Sequence, residues 1–123
     1  MGMAWPAQLL EPNVQRILAV QQQDGAIPWF EQGHLDPWDH TEAAMALSVT
    51  GHIAAARKAF SWLQAHQLPD GTWWESYRNS VPDKKERRET NFIAYVATGV
   101  WHHYLITQDK QWLGEQFTMV SQA

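Results

Sequence analysis

The stretch that most constrains this chain is Lys58–Trp74, which reads as a helix end, a tight Pro69-Asp70-Gly71 turn and a Trp73-Trp74 pair. Within it, Gln67, Gly71 and Trp73 follow the pattern Gln-x3-Gly-x-Trp. A weaker copy lies 46 residues earlier, where Gln21-x3-Gly25 leads to Trp29 and Ile27 stands where the pattern wants Trp. A helix ending in Gln, Asp-Gly and Trp, written twice, signals stacked helical hairpins, each needing its neighbour to bury its apolar face.

The rest of the chain fits that scheme. Residues 1–11 hold a short apolar turn at Trp5–Leu10. Pro12 at the first helical position opens a helix over 12–23, with Val14, Ile17 and Leu18 on one face and Gly25 beyond its end. Residues 24–38 form a loop that is apolar enough to require packing (Ile27, Trp29, Phe30, Leu35 and Trp38). Asp39, with Glu42 three residues on, has the form of a capping box for a second helix whose body, Ala43–Val49, is apolar on all sides and ends at Gly51. The third helix, 52–66, is amphipathic, with Ile53, Ala56, Phe60 and Leu63 in a stripe. A second long loop carries the mixed-charge run Asp83–Glu89, read as a solvated segment. The fourth helix is capped near Thr90 or Asn91 and runs to about Thr107 with little polar surface; the fifth starts at Asp109. Amphipathic and apolar helices therefore alternate, as an outer and an inner layer require. The fold class expected is all-α, an incomplete α/α toroid of about five helices in one domain over 1–123.

Composition excludes several partners. A net charge of −4 offers no footprint for nucleic acid, and the absence of cysteine removes disulfide and thiolate chemistry. No apolar run is long enough to span a bilayer and the N-terminus lacks a signal pattern, so a cytoplasmic protein is expected. Eight tryptophans point to aromatic packing, an aromatic-lined cavity, or both.

The segment Lys58-Ala59-x2-Trp62-Leu63-x3-Gln67-x3-Gly71-x-Trp73 resembles the repeat of squalene and oxidosqualene cyclases and related prenyltransferases, which share the α/α-toroid fold. The resemblance implies that Trp73 stacks on the Gln67 amide to tie an outer helix to the next inner one. It also implies an apolar, isoprenoid-type ligand in an aromatic cavity. It does not extend to the chemistry of those relatives: their Asp-x-Asp-Asp acid and Asp-Asp-x2-Asp metal motif are missing, and without cysteine their zinc site cannot be built. Thr50-Gly51-His52 and Thr107-Gln108-Asp109 occupy equivalent places, an offset that puts the next motif Gln just beyond Ala123. Too few hairpins to close a toroid leave an apolar inner layer bare, so self-association, as a twofold homodimer, is expected in a chain not catalytically complete by itself.

The densest polar cluster, His34-x-Asp36-Pro37-Trp38-Asp39-His40-x-Glu42, enters the second helix, at the mouth of such a barrel. Asp36, Asp39 and Glu42 are the candidate catalytic acids, in the manner of a glycosidase carboxylate pair, against a plain reading as caps and turns. Trp38, Trp74 and His40 are the candidate ligand contacts, whereas Trp29, Trp62 and Trp73 are expected in repeat packing. The cluster's spacing matches no metal site, and neither metal nor cofactor is expected. His102 and His103 point about 100° apart on their helix, so one is expected inside. The reading is thus an isoprenoid-binding toroid protein. Its alternatives are a carbohydrate-active α/α barrel piece and a non-enzymatic dimerisation module.

Overall fold

In the computed structural model, which describes residues 5–83, 85 and 87–123, the chain is all-α apart from one small sheet. Five helices, α1 (Trp5–Val20), α2 (Pro37–Val49), α3 (Ile53–His66), α4 (Thr90–Thr107) and α5 (Lys110–Gln122), are joined by the expected two long loops and two short turns. α2 packs most extensively on α4 and α3, while α5 lies against α4 and α1 against α2. α2 and α4 are therefore the inner pair, with α1, α3 and α5 outside.

Local boundaries correct the sequence reading in two places. α1 begins at Trp5, with Pro12 inside it and not at its start. Residues 8–13 are exposed, so the carbonyl left free by the missing proline N–H is open to water. α2 begins two residues earlier than Asp39: Pro37 is its first residue, and Asp36 is the cap, its Oδ1 accepting the Asp39 N–H at 2.8 Å. The Asp39–Glu42 capping box does not form. The charged run 83–89 falls partly outside the described residues, since Lys84 and Glu86 are not among them.

The two long loops meet in a small antiparallel sheet, which the sequence reading missed. Here β1 (His34–Leu35) pairs with β2 (Tyr77–Arg78), placing Leu35 opposite Tyr77, and β2 pairs with β3 (Val81–Pro82). Strands of two residues carry no periodicity to read. The β2–β3 hairpin turns at Asn79 and Ser80, both with positive φ as such a tight turn requires.

The repeat joins outer helices through side-chain-to-backbone hydrogen bonds. Gln21 Nε2 donates to Gly25 O (3.2 Å) and to Ala55 O on α3 (2.9 Å). Gln67 Nε2 does the same to Gly71 O and to Met119 O on α5, both at 3.0 Å. Trp73 donates its ring N–H to Leu63 O at 2.9 Å. Each Gln thus joins the end of one outer helix to the backbone of the next. The glycines permit the approach: Gly25 and Gly71 have φ of +99° and +89°, and a Cβ would collide with the carbonyls of Lys58 and Gln122.

Phe60, Trp62, Leu63, Trp73, Tyr77, Leu47 and Val96 form the centre of the core. A polar chain crosses it. The Arg57 Nε–H donates to His103 Nε2 at 3.2 Å, so the remaining ring proton is on Nδ1 and goes to Ser48 Oγ at 2.7 Å; Ser48 in turn donates to Ala44 O. Arg57 also reaches the α5 cap Asp109 at 3.0 Å. Four helices are tied through one neutral imidazole, and His103 is the inward member of its pair.

The inner helices are not covered all round. Ser48 and Phe60 help form the seat of α4, yet their counterparts 57 residues on, Leu105 and Phe117, are exposed. Trp101, the counterpart of the buried Ala44, is 53% exposed and Phe117 is 70% exposed. Among the described residues no helix is long and apolar enough to cross a membrane.

Candidate functional site

α2 presents Asp36, Asp39 and Glu42 at successive i, i+3 positions, so all three carboxylates lie toward one face at its N-terminal end. Their environments separate their roles. Asp36 is buried at 7% exposure and both of its oxygens are engaged, Oδ1 by the Asp39 N–H and Oδ2 by the Trp29 ring N–H at 2.8 Å. It positions its neighbours.

Asp39 is the perturbed group. The helix N-terminus favours an anion at this position. Partial burial, the Asp36 charge, a hydrogen bond shared with Asp36 and the Glu42 charge act the other way and push its pKa up to about 6. Burial and two neighbouring acids therefore outweigh the helix dipole, leaving a carboxyl group that holds its proton into the range where a general acid is useful. Glu42 is exposed and sits beside Tyr95, whose phenol is pushed up by burial first and then by the Glu42 carboxylate.

Of the expected ligand contacts, His40 lies in the core. It is fully buried, accepts the Ile27 N–H at Nδ1 (3.1 Å) and donates from Nε2 to Ala59 O (2.8 Å). Burial lowers its pKa to about 4, and both nitrogens are spent on holding the first long loop to α3. Trp38 is half-buried and stacked on Tyr95, with centroids 4.1 Å apart and planes at 10°. Trp74 is half-buried with the Arg88 guanidinium 4.5 Å above its ring. One face of each ring is thus already occupied.

Trp29 reverses the expectation of repeat packing, for it is 57% exposed. It lines a cavity of about 290 Å³ with Ile17, Val20, Ile27, Pro28 and Asp39. The degenerate repeat is the signal: with Ile27 at the buried motif position, Trp29 two residues on is free to face out. A second cleft of about 380 Å³ runs between the two long loops, lined by His34, Asp36, Glu75, Glu89 and Phe92, with Arg87 bridging Glu75 (3.2 Å) and Glu89 (3.0 Å). Among the described residues no group of three His, Asp or Glu is placed to hold a metal ion.

No family model matches the sequence. The chain is similar to a Mycolicibacterium hassiacum protein named MMP endo-(1,4)-3-O-methyl-alpha-D-mannosidase, 47% identical over 122 residues. The match takes in 99% of this chain and 33% of that protein, so the chain spans about a third of the relative's length. This similarity overturns the cyclase and prenyltransferase resemblance and the isoprenoid ligand inferred from it. That resemblance rested on residues 58–74, whose Gln and Gly serve helix packing, whereas identity across nearly the whole chain joins it to a protein bearing a glycosidase's name.

Proposed function

We propose that this chain supplies the acid-bearing part of a glycoside hydrolase that cleaves within 3-O-methylated α-mannoside chains. The observation that carries the reading is Asp39: its charge is opposed by its surroundings, while the duty of capping α2 belongs to Asp36. The similarity to the mannosidase supports the same reading across nearly the full chain.

In this mechanism Asp39 starts protonated and donates its proton to the glycosidic oxygen as the C1–O bond breaks. Glu42, beside Tyr95, is the candidate base in this chain, taking a proton from the water that attacks C1. Asp36 holds Asp39 and Trp29 in register and takes no proton from substrate.

The test is incubation of the chain with (1,4)-linked 3-O-methyl-α-mannoside oligosaccharides, followed by chromatography for shorter products and by titration calorimetry for binding. Binding by both wild type and Asp39→Asn, with cleavage by wild type alone, is the expected result. Cleavage by Asp39→Asn at the wild-type rate would remove Asp39 from the role of acid. No binding of any α-mannoside would overturn the reading.

A further inference from the structure

We infer that Trp29 is the platform of a single-sugar subsite beside Asp39, and that this subsite selects a ring bearing an O-methyl group. The inference rests on the glycosidase reading above and goes further in naming the residue that forms the subsite and the wall that receives the methyl group.

An exposed tryptophan is ordinarily free to change rotamer, but this one is fixed. Its ring N–H donates to the buried Asp36 Oδ2, the His34 ring lies 4.4 Å from it at 42°, and its backbone N–H donates to His34 O at 2.9 Å. A second bond, Gly33 N–H to Phe30 O at 2.8 Å, closes the loop tip. The ring is thus held in place before any ligand arrives, which lowers the ordering cost of binding. Asp36 links this platform to the acid, because the same carboxylate contacts both Trp29 and Asp39.

The space beside the ring is selective in size and polarity. About 290 Å³ is at the small end for a ligand site, room for one ring and not for several. Its walls are Ile17, Val20, Ile27, Pro28 and Ala43, and the charged side chains among its lining residues are Asp39 and Arg16. A free hydroxyl over the aliphatic wall would lose its water without gaining a partner. A methyl ether gives up that donor and buries a carbon, worth about four-fold in affinity per methyl.

Calorimetric titration of the chain with methyl 3-O-methyl-α-mannoside and with methyl α-mannoside tests this directly. The methylated sugar is expected to bind at least about four-fold tighter. Trp29→Ala should weaken both sugars about ten-fold or more, and Trp29→Phe, which loses the same bond to Asp36 but keeps a ring, should recover part of the lost affinity. Equal affinity for the two sugars, or wild-type affinity in Trp29→Ala, would overturn the subsite while leaving the glycosidase reading in place. If neither sugar binds and the oligosaccharide also fails to bind, both fall.

Discussion

Asp39 ionises near pH 3.8 when unfolded and near pH 6 in the fold, so the native state holds the proton more tightly. Its contribution is full below about pH 3.8 and lost as pH rises through 6. Asp39→Asn should therefore leave Tm at pH 7 unchanged or higher while abolishing cleavage; a clear drop in Tm would show a structural role instead. Asp36→Ala should cost roughly 1–2 kcal/mol through the lost cap, read by urea melts, and should also loosen Trp29. A glycine pair tests the repeat. Gly71→Ala meets both a positive φ and the Gln122 carbonyl and should cost about 2 kcal/mol or more. Gly114→Ala, within α5 and in open space, should gain roughly 0.5–1 kcal/mol. Equal Tm values for the two variants would refute the close approach of α3's end to α5.

At the scale of elements, two neutral imidazoles hold the helices together. Burial is the main cause of the fall of His40 and His103 to about pH 4, and for His103 the neighbouring Arg57 charge adds to it. An unfolded histidine titrates near 6.5, so the stability each supplies is present above that pH and is lost as pH falls through 4. Between about pH 4.5 and 6 the unfolded chain carries roughly two histidine protons absent from the fold, while the fold carries the Asp39 proton. The net of about one proton predicts stability falling by at most about 1.4 kcal/mol per pH unit on acidification. In Asp39→Asn the opposing proton is gone and the slope should steepen towards twice that. Urea melts at pH 7, 6 and 5 measure both slopes, and identical slopes would contradict the Asp39 assignment. His103→Ala leaves Arg57 and Ser48 facing a void and should destabilise by about 2–4 kcal/mol.

For the whole molecule, the exposed apolar residues of α4 and α5 give a prediction about association. Trp101, Leu105 and Phe117 are exposed at positions whose counterparts one unit earlier are buried. An apolar face of this kind favours association. Light scattering of the 123-residue chain is expected to give a mass above that of a monomer, falling towards monomer in Phe117→Asp. A monomeric wild type with Phe117 exposed would show that this face tolerates water.

By itself the sequence determined the all-α class, the approximate helix spans and the alternation of layers. These depend on local period, turn chemistry and burial pattern, all of which act within a few residues. Tertiary structure alone decided that Asp36 caps α2 and frees Asp39, because a cap depends on which of two nearby acids has the extended backbone. It alone withdrew His40 into the core, turned Trp29 outward and paired the two loops in a sheet. The Gln-x3-Gly pattern was legible as a repeat yet misleading about kinship, since packing outer helices end to end constrains a few residues and leaves the reaction free. Burial, charge proximity and contacts between residues tens of positions apart set a carboxyl group's proton affinity, and those are properties of the folded chain.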